Sequence, residues 1–299
     1  MLDYLLLPLL GMAWTFVAIT VANARQKNVS VIHFYLIGSA GAFLIFTVMS
    51  LISGMENIFA PQYRVSALAY FSGALLNASG QGIIMYNFKK GGRALALLIP
   101  QLAFILPYIW CLFNGDKFTP AGASGLLTIA AAVTYLSLKK SASSAENPGS
   151  SLDPKRILVA FCAMLIVGTS QIFIAIPAVL KKGAPLSAMT GSMIIQLTTM
   201  LFYAALSTFA PGKFIDSMKK AVKSGITWSL GAVASYCLLL PALKCMGARK
   251  QSAIVYPIGC SMVIVLFALY ASVCYREKLS RGQIAAFLAI VAGIFLIRM

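Results

Sequence analysis

The feature that most constrains this chain is a recurrence of uninterrupted apolar stretches, each about the 20 residues that an α-helix needs to cross a bilayer. Ten of them follow one another, at residues 2–24, 31–53, 65–87, 94–113, 120–138, 157–180, 187–209, 224–243, 252–272 and 282–297. Membrane barrel strands alternate in character over about ten residues. These stretches are continuous, so helices are the only spanning structure that satisfies the backbone. Composition agrees: 60% of the 299 residues are hydrophobic and 10% are charged, against about 25% charged in a soluble domain. The expected fold class is an all-α integral membrane protein with ten transmembrane helices.

The first stretch carries Asp3 ahead of it, lacks a basic n-region and exceeds a signal-peptide core in length, so it is expected to stay as a helix. The net charge of +17 does not point to nucleic acid, because Lys and Arg occur in ones and twos between apolar blocks with no basic face. Cys111, Cys162, Cys237, Cys245, Cys260 and Cys274 fall within or at the ends of apolar blocks without a CxxC pair. They read as buried thiols, with no metal site, no disulfide framework and no cofactor implied.

The chain repeats itself. Asn114–Leu136 and Tyr275–Ile297 align with Asp116 on Glu277 and Lys117 on Lys278; upstream, Arg93 meets Lys250, Pro100 meets Pro257, Ser66 meets Ser224 and Gly73 meets Gly231. Order is kept across three helices, which is an internal repeat. The chain therefore divides into a first five-helix repeat at 1–138, a Ser-rich polar linker at 139–156 and a second five-helix repeat at 157–299. Five is odd, so the second repeat enters the membrane from the other side and the pair is inverted, the arrangement that lets many secondary transporters expose one site to either face in turn.

Lys and Arg divide unequally between the two ends of such a bundle. Eight fall on the side of the termini and sixteen on the side of the linker, together the 24 in the chain. The positive-inside rule places the linker in the cytoplasm and both termini outside.

Ten helices in five-plus-five order, with GDKFTPAGASG after Pro100 and YREKLSRGQ after Pro257, resemble the drug/metabolite transporter superfamily and its EamA-like ten-helix members. The resemblance covers nearly the whole chain. It implies a bacterial inner-membrane carrier whose fourth and ninth helices help line a central cavity while the fifth and tenth pack at the periphery. GARKQSAIVYPIG followed by YREKLSRGQIAAFLAIVAGI is similar to the bacterial glucose and ribose porters, which implies a sugar as the leading substrate class; export of amino acids or other metabolites is the alternative on the same fold.

All seven acidic residues lie in loops or at helix ends, so there is no intramembrane carboxylate of the kind that marks a cation site. The helix interiors offer neutral polarity instead. Asn77, Gln81, Gln101, Gln171 and Gln196, with Tyr236 and Tyr256, form the candidate substrate-binding set, and Trp14 could add an aromatic surface. Buried amides must find partners in neighbouring helices or a wet cavity, and amides match the donor-and-acceptor hydroxyls of a sugar. Ser79, Thr169, Ser170 and Ser235 add hydroxyls, Trp110 and Trp228 suit an interfacial belt, and His33 reads as a helix-boundary residue or a proton-coupling group. Pro100, Pro107 and Pro257 are expected to break helix hydrogen bonds, with Pro100 and Pro257 as gating kinks.

The partners expected are a small-molecule substrate, the lipid bilayer and a coupling proton or sodium ion. A second subunit is not needed to complete the pathway. With no H-E-x-x-H, no G-x-S-x-G elbow and one histidine, a membrane-embedded enzyme is the disfavoured rival.

Overall fold

The protein is described here from a computed structural model, which defines residues 2–88, 99–143, 154–180, 184–209, 214–274 and 279–298. The repeat matches through Arg93, Glu277 and Lys278, and residues 144–153 of the linker, lie outside them. After a 3-10 turn at Leu2–Leu5 come α1 (Leu6–Gln26), α2 (Val31–Ile52), α3 (Arg64–Phe88), α4 (Ile105–Phe113), α5 (Pro120–Ser143), α6 (Pro154–Val179), α7 (Ala188–Thr208), α8 (Phe214–Ala248), α9 (Val255–Cys274) and α10 (Arg281–Arg298). Strands are absent among the described residues. The described helices extend into the expected linker from both sides, since α5 runs to Ser143 and α6 starts at Pro154.

Among the described residues, seven helical stretches are long and apolar enough to cross a membrane, which makes this a multi-pass membrane protein. α3 has 25 residues but falls below that standard because Asn77, Ser79 and Gln81 dilute it. The apolar stretches 99–113 and 120–136 are shorter. The outer surface bears this out: Leu44, Ile52, Phe113, Leu127, Phe209 and Val273 are exposed, while Ser39, Ser170, Thr190, Ser192, Gln196 and Ser261 are buried. Polar groups inside and Leu or Phe outside is the distribution expected when lipid is the solvent.

Most of the packing joins the first five helices to the last five. α3 lies along α6 and α8 along α1; α2 crosses α7 and α8; α3 also meets α7; α1 meets α9 and α4 meets α6; α5 pairs with α10. Glycines set the close approaches. A Cβ on Gly73 of α3 would sit 3.1 Å from the Ser170 carbonyl oxygen of α6, and one on Gly231 of α8 would sit 2.8 Å from the Phe16 ring of α1. Gly11 of α1 faces Met262 of α9, and Gly168 of α6, 157 residues further along the chain, faces Ala103 and Leu106 at the start of α4.

Proline behaves differently from expectation at two positions. Pro257 is the third residue of α9, behind a 3-10 turn at Ser252–Ile254, and Pro107 stands third in α4. In both cases the missing amide falls where a 3-10 turn gives way to an α-helix, so a change of helix type accompanies each of these prolines. The break expected at Pro100 does occur nearby, as a 3-10 turn at Leu102–Phe104. The interior prolines are Pro177 in α6 and Pro241 in α8. Nor are all the cysteines buried: Cys111 and Cys260 are, whereas Cys162 and Cys274 are exposed; all six are free.

The crossing of α5 and α10 depends on two glycines facing each other. A Cβ on Gly125 would lie 2.6 Å from the Gly293 carbonyl oxygen and 2.8 Å from the Ile297 nitrogen; backbone atoms cannot swing aside as a side chain could. Gly125→Leu should therefore destabilise the protein by about 1–3 kcal/mol through overpacking, read as a lower unfolding midpoint in detergent. An unchanged midpoint would show that these helices separate freely.

Candidate functional site

A cavity of about 320 Å³ lies between the two sets of helices. Its walls come from elements of both halves. α1 supplies Trp14; α3 supplies Asn77 and Gln81; Gln101 comes from the turn ahead of α4; Gln171 comes from α6, Tyr236 from α8 and Tyr256 from α9. Seven of the eight residues singled out from sequence thus meet in one space. Gln196 does not: it is 1% exposed in α7 with an unpaired side-chain oxygen, away from the cavity wall.

Tyr256 anchors the site. Its hydroxyl donates to the Gln171 carbonyl oxygen at 3.1 Å, and its ring stacks on Trp14 with centroids 6.3 Å apart and planes 18° from parallel. Offset stacking of this kind fixes two rings beyond their area burial. Trp14 fits here because Gly259 leaves room for it, a Cβ at that position falling 2.5 Å from the indole. Asn77, Gln81 and Gln101 make no hydrogen bond to the protein among the described residues and are half-buried, so their amides are free for a ligand. Hydroxyls differ: Ser235 donates to the Gly231 carbonyl, Ser170 to that of Val167, and Ser79 to that of Leu75. A hydroxyl bonded to its own helix keeps acceptor capacity but has spent its donor.

Other wall residues were not singled out from sequence. Trp228 does not belong to an interfacial belt; it is 9% exposed and lines the cavity, with Tyr35 at 5.4 Å and Phe34 at 6.2 Å, both edge to face. Tyr35 stacks in turn on Tyr203 at 5.0 Å. Gln283 of α10 also lines the cavity, an amide in a first helical turn that sequence position alone would place in solvent. His33 is buried, with its Nδ1 2.9 Å from the Ser30 hydroxyl. The described lining contains no Asp, Glu, Lys, Arg or His.

One end of the bundle is tied together by contacts between its connections. Here the N-terminal turn, four interhelical connections and the end of α10 gather. Arg249 pairs with Asp3, and the Tyr4 hydroxyl donates to Gln251 at 2.6 Å. The Lys117 amide donates to the Lys250 carbonyl at 2.9 Å, and the Ala253 amide to Asp116 at 2.6 Å. Between α2–α3 and α6–α7, Glu56 accepts from the Ser187 amide and hydroxyl at 2.8 Å each, and the Ala184 amide donates to the Gln62 carbonyl at 2.9 Å. Below them the Ser50 and Thr190 hydroxyls meet at 2.9 Å. The cavity extends the other way, to Tyr35 near the start of α2, Ala271 towards the end of α9 and Gln283 near the start of α10.

Two carboxyls of this clamp titrate in opposite senses. Burial raises the Asp116 pKa, opposed by the amides of Ala253 and Ser252. For Glu56, burial also pushes upward, but hydrogen bonds from Thr190, Ser187 and backbone amides outweigh it and leave the carboxyl lowered. A raised carboxyl contributes stability that is present below its unfolded pKa and is lost as pH rises through the folded value. A lowered one contributes stability above the unfolded pKa that is lost as pH falls through the folded value. Asp116→Asn should remove the first dependence while keeping an acceptor, and Glu56→Gln should remove the second. Asp116→Ala should cost about 1–2 kcal/mol at neutral pH by orphaning the α9 cap. Midpoints measured from pH 3 to 8 check all three, and parallel profiles for wild type and Asp116→Asn would contradict the assignment.

No protein-family model matches the chain, and no curated protein matches it. Solved structures do. One, described only as "Crystal structure of protein", superposes with a TM-score of 0.65 at 15% identity, over 96% of this chain and 94% of that one. The likeness is one of fold and extends over nearly the full length of both.

Proposed function

We propose that this protein is a secondary transporter of a small neutral polar metabolite, a sugar being the leading class, and that it works by alternating access between two inverted five-helix repeats. The observation that carries the reading is the uncharged cavity where Asn77, Gln81, Gln101 and Tyr256 converge from helices of both halves. A volume of about 320 Å³ is at the low end of the ~300–1,000 Å³ of ligand sites, a size for a small metabolite. Free amides give and take hydrogen bonds, as sugar hydroxyls do, and the Trp14–Tyr256 stack offers an apolar face for the CH groups of a sugar ring.

The helix pairings support the inverted repeat. Each contact that one half makes with the other has a counterpart with the halves exchanged: α3 on α6 and α8 on α1, α1 on α9 and α6 on α4, α2 on α8 and α7 on α3. The aligned glycines Gly73 and Gly231 sit at corresponding crossings. In this reading ten helices span the membrane, α3 as a polar member and α4 and α5 with shorter apolar stretches, the drug/metabolite transporter architecture. With the linker cytoplasmic in a bacterial inner membrane, the fastened end faces outside and the cavity extends towards the cytoplasm, an inward-facing state. A substrate gradient, a proton or a sodium ion would drive the exchange, and neither a cofactor nor a covalent step is required.

Counterflow in proteoliposomes tests this directly, because exchange reveals a carrier whatever ion drives it. Preloading with a panel of monosaccharides should give uptake of one labelled sugar that its unlabelled form competes. Gln101→Ala and Tyr256→Ala should each slow that exchange by about tenfold or more, the loss of one good hydrogen bond or stacking contact, worth about 1.4 kcal/mol or more. Full transport by both folded variants would overturn the site. Exchange of amino acids alone would replace the sugar class.

A further inference from the structure

A second recess lies at the fastened end, outside the cavity between the repeats. It is shallow, of about 570 Å³, and is lined by Tyr4, Lys117, Ala248, Arg249, Lys250 and Gln251. Its charge is one-sided. Among the described residues three cations line it and no carboxylate does; Asp3 is engaged by Arg249, and Asp116 is turned onto the Ala253 amide. Lys117 and Lys250 make no ion pair among the described residues and are exposed. The C-terminal end of α8 carries a negative half-charge that one cation would offset. With Arg249 already paired to Asp3, that still leaves the two lysines incompletely balanced.

The lysines are brought together by the backbone. The Lys117 amide bonds to the Lys250 carbonyl at 2.9 Å, which places residues from two distant connections side by side. Lys250 adopts φ 57°, a left-handed conformation that strains a side-chain-bearing residue and costs glycine almost nothing. A lysine at a position suited to glycine, beside another unpaired lysine, is strain of the sort that accumulates at functional sites. The floor is held by further contacts: the guanidinium groups of Arg249 and Arg298 pack on the Tyr4 ring at 5.4 Å and 5.0 Å from its centroid, and its hydroxyl donates to Gln251.

We infer that this recess binds a phosphate-class anion, with Lys117 and Lys250 as its charge partners and Arg249 as a further donor. Ammonium groups bind phosphate as point charges and a guanidinium adds directed N–H bonds. Such an anion would tie the α4–α5 connection to the α8–α9 connection across the closing face. It therefore stabilises the state closed at this end. The same chemistry comes from two sources, a free phosphate or the headgroup of an anionic lipid.

The test uses the full chain in nanodiscs of phosphatidylcholine, titrated with inorganic phosphate, and in nanodiscs containing phosphatidylglycerol. Wild-type protein should show a rise in unfolding midpoint with one of these. Lys117→Gln and Lys250→Gly should each weaken that response at least tenfold in the concentration or lipid fraction required. Lys250→Gly removes the backbone strain, so without anion it should unfold no earlier than wild type, which separates lost binding from lost folding. A response to phosphate identifies the free ion, and a response to phosphatidylglycerol alone identifies the headgroup. Midpoints insensitive to both, or responses unchanged in both variants, would overturn the inference.

Discussion

A polar group in hydrocarbon has no water to turn to, and this constraint organises the whole molecule. Every helix keeps its backbone bonds within itself, and many hydroxyls return to their own helix: Thr15 bonds the Gly11 carbonyl, Thr198 that of Ile194, and Thr199 that of Ile195. Amides cannot be satisfied so locally. Those of Asn77, Gln81 and Gln101 instead face a shared cavity, and the bundle is built around that space. Connections outside the hydrocarbon escape the constraint, and it is there that charged side chains fasten one end.

That division separates rigid from movable parts. Contacts between helices from opposite halves are set by glycines whose neighbours include backbone atoms, and backbone atoms cannot swing aside as a side chain can. The fastened end relies on a few charge-assisted and backbone hydrogen bonds, each worth about 1–3 kcal/mol at most. Contacts of that strength can be exchanged for others at modest cost. Tyr256 links the two parts, since it stands second in α9 just beyond the clamp residue Ala253 and bonds the backbone of α6 in the cavity wall.

Much of this was legible in the sequence, for a physical reason: helix depth can be read from position within an apolar block. Asn77, Gln81, Gln101 and Gln171 sit at mid-block, and all four reach the cavity. Rotation about the helix axis is harder to read, because in lipid both faces of a helix are apolar. Gln196 has the right depth and the wrong face. Trp228 was misplaced because depth itself was misjudged: α8 begins at Phe214, well ahead of the apolar block at 224, so the indole lies deep in the bundle. Tyr35 and Gln283 sit near helix starts, where sequence suggests solvent and only the assembled bundle reveals a cavity wall. Pro257 looked like an interior kink because the preceding 3-10 turn cannot be told from helix by hydropathy.

The central claim is that the cavity communicates with one face while the clamp shuts the other. Its most direct test is labelling of Ser235→Cys, a cavity-wall position, in otherwise cysteine-free protein, with a membrane-impermeant thiol reagent applied to each face in turn. The account predicts that, without substrate, the reagent reacts from the face where α2 and α10 begin and is excluded from the face that carries the termini. Reaction from the termini face, at a rate equal to or above that from the other, would contradict it.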